Sequence, residues 1–110
     1  MPPTTSPIPT LSGAAFTAQV LEAPEPVLVD FTAAWCPPCR AMKPVLEGLA
    51  ADRDDLRIVQ VDVDADPGLA AQHGVLSMPT FVLFRDGREA ARLVGARPRR
   101  RLERELAEAL

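Results

Sequence analysis

Residues 27–40 read Val-Leu-Val-Asp-Phe-Thr-Ala-Ala-Trp-Cys-Pro-Pro-Cys-Arg, and the fold of this 110-residue chain follows from them. Four of the first five residues are apolar, the composition of a short strand covered on both faces. Cys36 and Cys39, the only two cysteines, follow with two residues between them. A C-x-x-C pair between a strand and a helix points to redox chemistry. A helix beginning at Pro37 or Pro38, where proline's fixed φ suits the first turn, aims the unpaired N–H groups of that turn at the Cys36 sulfur. Those donors and the helix dipole favour thiolate over thiol. The stretch thus provides one activated nucleophile and a second thiol close enough to resolve the bond it makes.

Upstream, residues 1–9 (MPPTTSPIP) hold four prolines and little to bury, which predicts a mobile extended tail ahead of a single domain over 10–110. A short strand is placed near Leu11, and Ser12 is positioned to cap a helix of about 13–21 with Phe16 and Val20 on one face. Downstream, Met42, Val45, Leu46 and Leu49 recur at helical spacing and give a second helix one buried stripe, with a kink predicted at Pro44. Residues 56–63 alternate as a strand, and Asp66, Pro67 and Gly74 bracket a short helix. Residues 81–84 and 89–94 read as a hairpin through Asp86-Gly87, and Leu102, Leu106 and Leu110 give a last helix its apolar face. Strands alternating with helices pair in parallel by crossover, whereas a hairpin is antiparallel. The predicted α/β architecture is a three-layer α/β/α sandwich around a central mixed sheet.

Composition narrows the function classes. With 47% apolar and 25% charged residues the chain is an ordinary globular domain, and no segment approaches the roughly 20 apolar residues of a membrane span. A formal charge of -3 supplies no basic footprint for nucleic acid. The first residues lack the positive and apolar regions of a secretory signal, which predicts a cytoplasmic protein. In a reducing compartment two cysteines at this spacing are catalytic or metal-binding rather than a structural bridge.

The stretch VLVDFTAAWCPPCR, Pro44, SMPTFVLFRDG and Gly95 within LVGA, taken in that order, resemble the thioredoxin family over about residues 10–110. The resemblance implies a thioredoxin fold and a thiol–disulfide oxidoreductase that reduces protein disulfides. It makes Cys36 the attacking thiolate and Cys39 the resolving thiol, with a redox-active disulfide between them and no other cofactor or metal. It makes Asp30 a buried acid that exchanges a proton with Cys39. Burial in an apolar strand favours a neutral carboxyl, which agrees with that role. Pro79 corresponds to the family's cis-proline, placing the Met78 backbone where an extended client segment can pair with it. Trp35, Pro37, Pro38, Met78, Pro79, Val94, Gly95 and Ala96 match the rim on which the family docks partners. The implied partners are disulfide-containing client proteins and a flavin-dependent thioredoxin reductase, met by a monomer that binds neither nucleic acid nor membrane.

Three residues depart from the family pattern. Pro37-Pro38 replaces the usual Gly-Pro, which removes one N–H near Cys36 and leaves open an oxidant or isomerase. Gln60 stands where a lysine often neighbours the buried acid, which predicts a tighter hold on the Asp30 proton. Thr32 replaces a common aromatic. Other readings compete: a thioredoxin-fold binding module with non-essential cysteines, or half a zinc site for which only His73 and carboxylates could complete the ligands. Asp62, Asp64 and Asp66 fit a loop entering a helix cap better than a calcium loop, since Pro67 occupies the turn glycine's place. His73 is read as a surface residue. Arg97, Arg99, Arg100 and Arg101 are read as a solvated face with Arg99–Glu103 and Arg101–Glu105 pairs, or as a patch for an acidic partner.

Overall fold

The computed structural model describes residues 8–110. Strand β1 (Val27–Thr32) lies inside a four-stranded mixed sheet, parallel to β2 (Arg57–Asp62) and antiparallel to β3 (Thr80–Arg85), which pairs antiparallel with β4 (Arg88–Val94). The strand order is β2-β1-β3-β4. Helix α1 (Gly13–Phe16) precedes β1, α2 (Pro37–Asp52) carries the chain from β1 to β2, α3 (Pro67–Gln72) from β2 to β3, and α4 (Arg99–Ala109) closes the chain.

Alternation along β1 divides the core in two. Val27, Val29 and Phe31 pack with Phe16, Val20 and Leu69, so α1 and α3 cover one face. Leu28 packs with Met42, Leu46, Leu49, Leu102 and Leu106, so α2 and α4 cover the other. This is the three-layer arrangement expected of a strand apolar on both sides. Asp30 shares the parity of Leu28 and therefore turns toward α2, the helix that starts at the cysteines.

Local chemistry explains the boundaries. Asp86 (φ 53°) and Gly87 (φ 77°) both occupy the left-handed region that a two-residue hairpin of matching twist requires. Helix α2 runs on through Pro44. Helix α3 begins after Asp66, whose carboxylate accepts from Leu69 N at 3.3 Å, and the chain leaves it through Gly74 at φ 66°.

Three expectations are corrected. The Ser12 hydroxyl makes no cap bond. The Gly13 N–H donates instead to the second oxygen of Asp66, a carboxylate being a stronger acceptor than a hydroxyl. The first helix stays α-helical only to Phe16 and then widens into a π-helical turn, Thr17–Leu21, closed by Glu22 N donating to Thr17 O at 2.9 Å. The wider turn keeps both Phe16 and Val20 buried. Of the tail predicted over 1–9, residues 1–7 lie outside the described residues, but Ile8 is buried in the α2/α4 core and Pro9 O accepts from Gln60 N at 2.9 Å. In place of the short strand expected near Leu11, Thr10 forms an isolated parallel bridge with Gln60.

Candidate active site

The end of β1 and the start of α2 build the redox pair. Cys36 is the N-cap of α2, with Pro37 and Pro38 in the first two helical positions. Neither proline has an N–H, so the Cys39 amide is the first-turn donor left to face the cap, and it points at Cys36 Sγ at 3.2 Å. The sulfur thus occupies the place of a capping oxygen. Cys36 and Cys39 are joined as a disulfide with Cα atoms 5.2 Å apart, and both are buried. Cys36 Sγ also lies 3.7 Å from Met78 O. In the disulfide that sulfur carries no proton, so this is a contact rather than a hydrogen bond.

The other predicted site residues gather around this pair. The Met78–Pro79 bond is cis and Pro79 is buried. Val94 pairs with Thr80, and Gly95 N donates to Pro79 O at 2.8 Å, which brings the end of β4 beside the same loop. Gly95 takes φ 98°, a conformation that favours glycine, and Ala96 follows it exposed. Pro37 and Pro38 are exposed on the first turn of α2. Trp35 is exposed too, its indole N–H donating to Asp64 Oδ2 at 2.7 Å.

Asp30 lies behind the disulfide. It is buried, and among the described residues Oδ1 is the one buried side-chain oxygen or nitrogen without a hydrogen-bond partner. Desolvation raises its pKa from 3.8 to about 7. Asp30 and Cys39 line a common cavity of about 170 Å³ with Lys43, Leu46 and Gln60 on its wall. Gln60 pairs across the sheet with Asp30, as the missing-lysine reading required, and its amide donates to Thr10 Oγ1 at 2.8 Å.

The remaining polar residues have local duties. Asp62 Oδ1 accepts from the N–H groups of Asp64 (2.9 Å) and Ala65 (3.4 Å), so the three aspartates serve a turn, an indole and two helix starts. The expected Arg99–Glu103 and Arg101–Glu105 pairs form at 3.1 and 3.4 Å. Arg97 corrects the solvated-face reading: it is buried, bonded to Glu105 at 2.7 Å, and donates to Val94 O at 2.6 Å and Gly95 O at 3.1 Å. His73 is half-buried rather than on the open surface, its ring 4.9 Å from Phe16 and 5.6 Å from Phe84. Burial first and the Arg92 charge second lower its pKa.

A family model described as thioredoxin matches residues 7–108. The chain belongs to the thioredoxin family. A thioredoxin of Alicyclobacillus acidocaldarius subsp. acidocaldarius is 45% identical over 102 residues, covering 92% of this chain and 96% of the relative. One of Mycolicibacterium smegmatis is 46% identical over 99 residues, covering 87% and 88%. The bifunctional thioredoxin reductase/thioredoxin of Mycobacterium leprae (strain TN) is 42% identical over 99 residues, covering 89% of this chain and 22% of that protein. As a member of the thioredoxin family with its cysteine pair joined, the chain is a thiol–disulfide oxidoreductase, a protein-disulfide reductase.

Proposed function

We propose that the protein is a cytoplasmic electron carrier whose Cys36 thiolate attacks one sulfur of a client disulfide. The client's S–S bond breaks as the Cys36–client bond forms, and the client's other sulfur departs as a thiolate. Cys39, deprotonated by Asp30 across the shared cavity, then attacks Cys36 Sγ and expels the second client thiolate. Two electrons have passed to the client, and the protein is left as the Cys36–Cys39 disulfide. A thioredoxin reductase returns those electrons, a partnership suggested by the Mycobacterium leprae relative, whose name joins both activities. Flavin belongs to that partner; this chain needs no cofactor beyond its cystine.

The observation that carries the reading is the approach of three groups to one sulfur. The Cys39 amide lies 3.2 Å from Cys36 Sγ, the bonded Cys39 Sγ stands ready to leave or return, and Met78 O lies 3.7 Å away where a client backbone would pass. Trp35, Pro37, Pro38, Met78, Pro79, Val94, Gly95 and Ala96 form the client-facing rim in this proposal.

Equilibration against glutathione buffers tests the direction of electron flow. A midpoint at or below about −250 mV identifies a reductant, whereas one between about −120 and −180 mV identifies the oxidant or isomerase that Pro37-Pro38 left open. The Cys39→Ser variant separates chemistry from binding. It should accumulate mixed disulfides through Cys36, and unchanged partner affinity without any such adduct refutes the mechanism.

A further inference from the structure

Three large apolar side chains stand exposed among the described residues: Trp35 at 61%, Leu76 at 96% and Val94 at 55%. All three sit at one end of the sheet. Trp35 precedes Cys36, Val94 pairs with Thr80 beside Pro79, and Leu76 lies two residues before Met78. Two virtual bonds of 3.8 Å, the Met78 carbonyl and the 3.7 Å contact to Cys36 Sγ put the Leu76 Cα within about 14 Å of the attacking sulfur. An extended chain covers that distance in about four residues. Trp35 and Val94 belong to the rim already described, whereas no role has been given to Leu76. Its side chain contributes almost no burial to the fold.

We propose that Leu76 is a specificity-determining residue that receives an apolar side chain of the client within about four residues of the client's cysteine. This rests on the disulfide-exchange reading, in which a client segment pairs with the Met78 backbone beside Cys36 and one of its flanks runs on toward Leu76. The chemistry of the segment selects the occupant. Residues 75–80, Val-Leu-Ser-Met-Pro-Thr, carry no charge, and the cation beside them, Arg92, is already engaged by Glu89 and the His73 and Gly74 carbonyls, so a charged client side chain would lose water there for little gain. An apolar one gains the contact area that Leu76 otherwise leaves to solvent. The surface on this side of the cysteines therefore sorts clients by the residues around their disulfide.

The test is steady-state reduction of three substrates by the wild type and by Leu76→Ser. Two are disulfide-linked peptides identical except that leucines or serines flank the cystine; the third is hydroxyethyl disulfide, too small to reach Leu76. The wild type should prefer the leucine peptide by about tenfold in kcat/KM, equivalent to about 1.4 kcal/mol. Leu76→Ser should remove that preference by raising KM for the leucine peptide, with the other two substrates within twofold. A wild type that reduces both peptides equally, or a variant slowed on all three substrates alike, overturns the assignment of Leu76 alone. A wild type that reduces none of the three overturns the exchange reading together with it.

Discussion

Replacing Asp30 with asparagine should make the protein more stable, by an amount that grows from pH 3.8 upward and is full above about pH 7. The carboxyl is 3% exposed, its pKa is raised from 3.8 to about 7 by desolvation, and Oδ1 has no partner. Below pH 3.8 folded and unfolded states both hold the proton. Between 3.8 and about 7 the folded state keeps a proton that the unfolded chain releases, so stability falls as pH rises, by about 1.36 kcal/mol per unit. The loss is complete above pH 7 and amounts to about 4 kcal/mol. Asp30→Asn cannot titrate and escapes it. Urea unfolding of the oxidised forms, in which no thiol titrates, should show the two proteins close together at pH 4. At pH 8 the variant's midpoint should be higher by about 2 M for an m-value near 2 kcal/mol/M. A difference independent of pH, or an ordinary aspartate titration of the Asp30 carboxyl by carbon-13 NMR, would refute the argument. The same variant should slow the release of client from Cys36, since the base for Cys39 is gone.

Other expectations follow from named contacts. His73 acts with the opposite sign. Its folded pKa lies below 6.5, so its contribution is full above 6.5 and is lost as pH falls below that value; His73→Gln in the Asp30→Asn background should flatten the acid limb of a stability–pH curve. Arg97→Met strips Glu105 of its nearest cation and frees the Val94 and Gly95 carbonyls. It should cost about 3 kcal/mol, seen as a Tm fall of about 13 °C by circular dichroism, and an unchanged Tm contradicts the clamp. Asp66→Ala removes the acceptor shared by Leu69 N and Gly13 N and should destabilise by about 1–2 kcal/mol, with Asp66→Asn recovering most of it in the same denaturation assay.

The arrangement around the cysteines was legible because it rests on local rules. An apolar strand, a C-x-x-C pair and prolines that suit a helix start fix β1, the turn and α2 almost without tertiary information. Asp86-Gly87 likewise announced its hairpin, because few other residue pairs tolerate two positive φ values. What escaped depends on contacts that neither periodicity nor turn chemistry announces. Asp66 reaches back 53 positions to cap Gly13, taking a task that Ser12 alone would have been given. Arg97 looked like its exposed neighbours, and only the carbonyls of Val94 and Gly95 with Glu105 eight residues further on make its burial tolerable. Ile8 belongs to a core whose other members lie more than 19 residues further on, so a proline-rich setting concealed it. A usable signal for Leu76 did exist: an apolar residue in a loop, with no periodic pattern to bury it.

The flanks of the sheet bear on how the molecule behaves in a crowded solution. On one side, Pro9 and Leu11 occupy the backbone groups of Gln60 at the border of β2. On the other, β4 offers Arg88, Glu89 and Arg92 and meets its neighbour through an irregular register at Leu83/Phe84. Charge and irregularity discourage a second copy from zipping onto that margin. Strand pairing between copies is thereby disfavoured at both flanks, away from the end of the sheet where Trp35, Leu76 and Val94 stand exposed.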